Sequence, residues 1–115
     1  MRYLLDTHTF LWLMQTPEML PSRVLQALES PDNRAYVSHA TLWEIAIKVS
    51  MKRLYIPSEY DELFPQSVFA AGMRLLQITP EHISAVVKLP IHHRDPFDRM
   101  LIAQAQVEGL TLVSV

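Results

Sequence analysis

The chain has 115 residues, the length of one compact domain, and half of them are hydrophobic, which excludes a disordered tail. It contains no cysteine, so disulfides, thiolate zinc sites and a cysteine nucleophile are excluded, and a reducing compartment, the cytoplasm, is the expected location. The formal net charge of −2 does not favour a nucleic-acid partner, which usually meets a basic protein surface.

Short apolar runs and turn residues predict that strands and helices alternate along the chain. In chain order, the pattern predicts strand 3–5, helix 7–14, helix 23–29, strand 35–38, helix 40–52, helix 60–71, strand 73–78, helix 80–89, helix 96–108 and strand 110–115. Each apolar run is far shorter than the ~20 residues that span a bilayer, so no membrane partner is expected.

Capping residues precede two of the predicted helices. Ser22 and Thr79 each stand immediately before an amphipathic segment, where a hydroxyl side chain can accept from the first backbone N–H groups. In the helix that follows Thr79, the spacing of Ile83, Val86 and Val87 predicts that these three side chains face the core.

The alternation predicts an α/β sandwich around a mostly parallel sheet of roughly four strands, as one domain over residues 1–115. In such sheets, ligands bind beyond the carboxyl ends of the strands. Asp6 directly follows the first strand, Glu44 follows the second strand within two helical turns, and Asp98 lies in the first turn of the last helix. We therefore expect three carboxylates at one edge of the sheet.

Each of these acids also has a capping interpretation that the sequence leaves open. Asp95 and Asp98 fit the N-cap and the third position of the last helix, where acids favour the helix dipole. The spacing from Thr41 to Glu44 matches a capping box, and Asp6 is placed to cap the helix that follows it. Convergence of the acids, and not any one of them, favours a functional site.

A carboxylate cluster would suit Mg²⁺ or Mn²⁺. Such hard cations prefer oxygen ligands, activate a bound water and stabilise charge on phosphoryl oxygens. Without the four charges of Asp6, Glu44, Asp95 and Asp98, a net charge of −2 becomes +2 for the rest of the chain. The acidic balance therefore does not exclude a nucleic-acid partner.

Basic residues accompany the acids. Lys48 and Lys52 form an i, i+4 pair, and Arg94 and Arg99 flank the acids of the last helix. They are compatible with a solvated helix face or with attraction of substrate phosphates, and the sequence does not choose between the two.

Three segments resemble, in order, the motifs of the PIN domain family: residues 4–8, residues 38–45 and residues 93–105. Together they extend along nearly the whole chain, and they look most like the VapC-like toxins of bacterial toxin–antitoxin systems. The resemblance implies a Rossmann-like three-layer α/β/α fold, a divalent metal and endonucleolytic cleavage of RNA. It also implies a homodimer and a small antitoxin that occludes the active site.

The resemblance assigns roles to five residues. It implies that Asp6, Glu44 and Asp98 are the catalytic acids and hold the metal. It implies that the hydroxyl of Thr7 supports them by orienting a ligand or a metal-bound water, and that Asp95 is an additional supporting acid.

One feature departs from the family pattern. Members usually carry a fourth acid just after the last strand, and the sequence ends there, at Val115. The expectation is that the chain is truncated at its C-terminus or lacks this ligand. The alternative function is a degenerate PIN fold that binds RNA or protein without catalysis.

An aspartate after the first strand also suits an aspartyl-phosphate phosphatase or a phospho-acceptor receiver domain. The phosphatase pattern has a second aspartate two residues after the nucleophile, and His8 stands at that position. A receiver domain would carry its phospho-acceptor on a later, central strand. Fold analogy alone does not fix a function, so both remain as rivals.

Overall fold

The chain folds around one parallel sheet. The computed structural model describes residues 1–91 and 95–115. Within them, four strands form the sheet: Arg2–Leu5 (β1), Arg34–Ser38 (β2), Arg74–Leu76 (β3) and Thr111–Val113 (β4). They pair in the order β3-β2-β1-β4, and every pairing is parallel. The carboxyl ends of all four strands therefore lie at the same edge, as the predicted α/β fold requires.

Helices connect the strands and cover both faces of the sheet. Those in the described residues are Thr7–Gln15 (α1), Ser22–Glu29 (α2), His39–Ser50 (α3), Tyr60–Leu63 (α4), Gln66–Ala70 (α5), Pro80–Val87 (α6) and Pro96–Glu108 (α7), with a 3₁₀ turn at Pro17–Met19. None of them is long and apolar enough to cross a membrane.

Side chains alternate across the sheet and form two cores. Leu5 and Val37 belong to one core, which also contains residues of α1, α3 and α5. Leu4 and Tyr36 belong to the other core, where Leu101 of α7 packs against them. Because successive residues of a strand point to opposite faces, a sheet with a core on each side has adjacent apolar residues in its strands, as Leu4 and Leu5 are in β1. This is the predicted three-layer α/β/α arrangement.

The prediction of one helix over residues 60–71 is wrong. The structure has two short helices, α4 and α5, with Phe64 and Pro65 between them. Proline has no N–H to donate to the preceding turn, and it disfavours helical geometry in the residue before it. Phe64 is accordingly extended, with φ −122° and ψ 137°. Its side chain is buried in the core that contains Leu5.

The predicted cap at Ser22 is also wrong. Ser22 is the first residue of α2, the N-cap is Pro21, and no side chain caps this end of the helix. The predicted cap at Thr79 is confirmed. The Thr79 hydroxyl accepts from the backbone N–H of His82, and His82 Nδ1 accepts from the backbone N–H of Thr79.

The inward face predicted for α6 is wrong at two positions. Ile83 is 56% exposed and Val87 is 83% exposed, whereas His82 is fully buried. The imidazole of His82 faces α7, where Nε2 lies 2.8 Å from Oε2 of Glu108, and the Gln104 amide lies 3.3 Å from Nδ1. This polar contact orients the helix, because a buried imidazole must satisfy both ring nitrogens.

Candidate metal centre

Asp6 stands where β1 ends and α1 begins. Its backbone N–H donates to Val113 O at 3.0 Å, which continues the pairing of β1 with β4. Its Oδ1 accepts from the N–H of Thr9 at 2.8 Å, so Asp6 is the N-cap of α1. The capping interpretation is therefore correct for one carboxylate oxygen. The other oxygen of this half-buried carboxylate takes no part in the cap.

Asp6 and Asp98 line one cavity at the carboxyl edge of the sheet. Asp98 is exposed and lies in the first turn of α7. The cavity has a volume of about 320 Å³, and its other lining residues are Leu101, Ile102, Leu112 and Ser114. The structure thus brings together two of the three predicted ligands, although they are separated by most of the chain.

Glu44 reaches the same edge through a different contact. It lies in the second turn of α3, and its Oε1 accepts from the hydroxyl of Thr7 at 2.6 Å. Thr7 is buried, follows Asp6 in the chain, and lies 3.4 Å from the Thr41 hydroxyl. The Thr7 hydroxyl therefore holds Glu44 beside the start of α1, where Asp6 lies.

The capping box predicted from Thr41 to Glu44 is wrong. The N-cap of α3 is Ser38, whose hydroxyl accepts from the N–H of Ala40 at 3.0 Å. Because the helix begins at His39, Glu44 lies beyond the first turn and no capping role explains its carboxylate.

Tyr60 makes a second polar contact with α3. Its hydroxyl donates to Leu42 O at 2.9 Å. Burial raises the pKa of Tyr60, so the phenol keeps the proton that it donates. The helix that carries Glu44 is therefore attached both to α1, through Thr7, and to α4.

Asp95 is the N-cap of α7, as its sequence position suggests. Its Oδ1 accepts from the N–H of Phe97 at 2.8 Å and from the N–H of Asp98 at 3.0 Å. The cap holds the first turn of the helix, in which Asp98 lies. Asp95 thus fixes the backbone that carries Asp98, and it does not line the cavity that Asp6 and Asp98 share.

The predicted basic residues have different surroundings. Lys48 Nζ lies 2.9 Å from Oε2 of Glu44. Arg99 donates to the carbonyl oxygens of Pro90 and Val86, each at 2.8 Å, and so ties α7 to the end of α6. Lys52 is exposed, and the prediction for Arg94 lies outside the described residues. Sequence reasoning missed the contact of Lys48 with Glu44, although the i, i+4 spacing of an acid and a lysine is its signal.

The oxygen donors fit a hard divalent cation. Asp6 and Asp98 supply two carboxylates to one cavity, and carboxylate oxygens are ligands that Mg²⁺ and Mn²⁺ accept while keeping several waters. Within residues 1–91 and 95–115, no three histidine or acidic side chains are close enough to hold one ion together. Joint ligation by Asp6, Glu44 and Asp98 therefore stays a prediction.

The chain is similar to a known domain family and to solved structures. Residues 3–115 match the model of the PIN domain. One similar structure is the crystal structure of VapBC2 from Rickettsia felis bound to a DNA fragment from their promoter, with a TM-score of 0.68 and 17% identity over 99% of this chain and 86% of that chain. Another is the 2.2 Å structure of VapBC-1 from nontypeable Haemophilus influenzae, with a TM-score of 0.60 and 21% identity over the same shares. No curated protein matches. Since the family model covers nearly all of its residues, the chain belongs to the PIN domain family.

Proposed function

We propose that the protein is a metal-dependent endoribonuclease and the toxin of a toxin–antitoxin pair, acting in the cytoplasm. The observation that carries this proposal is the cavity shared by Asp6 and Asp98 at the carboxyl edge of the sheet. Acids collected at that edge, in a chain of a family whose members are generally nucleases, are suited to hold a divalent cation against a phosphodiester. Two similar structures are of VapBC proteins, which supports the toxin assignment.

Asp6 and Asp98, with Glu44, would hold Mg²⁺ or Mn²⁺. The bound ion would activate water and stabilise charge on the phosphoryl oxygens. The protein contributes the fixed position of the acids: the cap on α1 orients Asp6, and the Thr7 hydroxyl orients Glu44. Leu101 and Leu112 form an apolar wall of the cavity, which limits water on that side and strengthens electrostatic contacts within it.

The proposal is tested by RNA cleavage with Mg²⁺ or Mn²⁺, and with the metal removed by a chelator. We expect cleavage only with metal, because carboxylates without a cation repel the RNA backbone. Metal binding without cleavage of any structured RNA would favour the degenerate binding module. Formation of an acid-labile aspartyl phosphate would favour the phosphatase or receiver alternatives.

Thr7 offers a separate test. Thr7→Val should reduce cleavage about ten- to a hundredfold, because the hydroxyl that orients the Glu44 carboxylate is lost. The free energy of unfolding should fall by about 1 kcal/mol, the typical contribution of one such hydrogen bond. Thr7→Ser keeps the hydroxyl and should retain most of the activity. Equal cleavage rates for the two variants would contradict a role for this hydrogen bond.

We also propose two protein partners, an antitoxin that covers the acidic cavity and a second copy of the chain. An exposed apolar surface supports the proposed pairing with a second copy of the chain. The surface surrounds an open cavity of about 430 Å³. The side chains that line this cavity include those of Trp43, Ile83, Val87, Phe97 and Met100. Exposed apolar patches of this kind usually mark interaction sites. A partner at this surface would explain why Ile83 and Val87 of α6 are apolar although they are exposed.

Val87→Lys tests the homodimer. Val87 ends α6, where a cation is compatible with the helix dipole, so the fold should be retained. A lysine placed in an apolar interface would lose hydration, and the dimer dissociation constant should rise at least about a hundredfold. The mass is measured by light scattering. Val107→Lys, on an exposed position of α7 outside this cavity, is the control. An unchanged mass for Val87→Lys would contradict a dimer through this surface.

A further inference from the structure

A lysine holds the carboxylate of Glu44. The two oxygens of Glu44 have different partners: Oε1 accepts from the Thr7 hydroxyl at 2.6 Å, and Oε2 lies 2.9 Å from Lys48 Nζ. The side chain of Glu44 is 13% exposed, whereas that of Lys48 is 45% exposed. The carboxylate of Glu44 is therefore largely buried, while the lysine reaches it from solvent.

We propose that Lys48 is the resident counter-ion of Glu44, and that a divalent cation must displace its ammonium group from Oε2 on binding. The inference rests on the proposed metal site. It makes Lys48 a positioning residue that acts through Glu44, and not a residue that binds substrate phosphate. The ion pair keeps the carboxylate in place in the absence of metal and lowers the metal affinity of the site.

The two partners of Glu44 differ in charge, and this difference explains why the cation would displace Lys48 and not Thr7. A hydroxyl is neutral and leaves the full negative charge of Glu44 available, and each carboxylate oxygen has two lone pairs, so Thr7 can stay bound. An ammonium group carries a full positive charge, which repels a nearby divalent cation. Its half-exposed, flexible side chain returns to water at small cost, since exposed ion pairs are weak.

An ordinary i, i+4 ion pair on the solvated face of α3 would also place Lys48 beside Glu44. Such a pair would contribute slightly to helix stability and would have no effect on metal binding. The affinity of the site for a divalent cation therefore separates the two interpretations, and it does so without any measurement of catalysis.

The experiment is a calorimetric titration of the purified protein with Mn²⁺. Lys48→Gln should bind Mn²⁺ about three- to tenfold more tightly than the unaltered protein, because no ammonium group then has to be displaced from Oε2 of Glu44. Lys48→Arg keeps the charge and should restore the original affinity. Lys52→Gln removes the same charge from an exposed residue with no ion pair in residues 1–91 and 95–115, and should leave the affinity unchanged. In a Glu44→Gln background, Lys48→Gln should have no further effect.

The outcomes distinguish this inference from the function on which it rests. Mn²⁺ binding that is equally tight with and without Lys48 would overturn the counter-ion role and leave the metal site standing. An equal gain for Lys52→Gln would also overturn it, since the effect would come from net charge alone. Absence of Mn²⁺ binding in every variant, Lys48→Gln included, would overturn both the inference and the metal-dependent function.

Discussion

Asp6→Asn is expected to reduce metal-dependent RNA cleavage by about a hundredfold or more, because the metal ion that Asp6 is proposed to hold would supply several kcal/mol of transition-state stabilisation. The fold should be unaffected. Asparagine caps a helix about as well as aspartate, so the hydrogen bond from the Thr9 N–H is kept. In the metal-free protein the variant should be equally stable or slightly more stable, since one of two carboxylates that share a cavity becomes neutral.

The measurement pairs an RNA cleavage assay with urea unfolding of the same preparations. Asp61→Asn, at an exposed position of α4, makes the same chemical change away from the cavity and serves as the control. Its cleavage rate should equal that of the unaltered protein. Full activity in Asp6→Asn would remove Asp6 from the metal site, and the proposed mechanism with it.

Changing each of the two acids at the start of α7 to asparagine is expected to have different effects on the cleavage rate. Asp98→Asn should lose most of the cleavage activity, because Asp98 lines the cavity with Asp6. Asp95→Asn should keep both stability and most of the activity, since the asparagine oxygen can still accept from the N–H groups of Phe97 and Asp98.

Asp95→Ala extends this comparison. It removes the cap and should lower the free energy of unfolding by about 1 kcal/mol. The measurements are cleavage rate and urea unfolding for all three variants. Severe and equal losses of activity in Asp95→Asn and Asp98→Asn, without loss of stability, would show that Asp95 also contacts the metal or the substrate.

The sheet could be predicted from the sequence because each strand contains a short apolar run that follows one exposed Arg or Thr. The strand at 35–38 lies between charged and polar neighbours and contains almost only buried residues. The prediction of one helix over residues 60–71 is wrong because Pro65 lies in its interior, where a proline costs about 3 kcal/mol.

The positions of the acids at the sheet edge could be predicted in part, because parallel strands bring their carboxyl ends together. The hydrogen-bond partners of the individual acids could not be predicted. The contact of Thr7 with Glu44 joins residues 37 apart, and no local pattern indicates which side chains meet across elements. Ile83 and Val87 show a similar limit, since an amphipathic period indicates an apolar face without indicating what that face contacts.

The polar attachment of α6 has a consequence for how this chain can diverge. His82 is hydrogen-bonded to Thr79 and Glu108, and Arg99 donates to the carbonyl oxygen of Val86. These hydrogen bonds fix the position of α6. The outward residues of α6 therefore contribute little to the core and are free to change in shape and charge. Residues at this face can therefore vary among related chains while the edge that carries Asp6, Glu44 and Asp98, built on α1, α3 and the first turn of α7, stays the same.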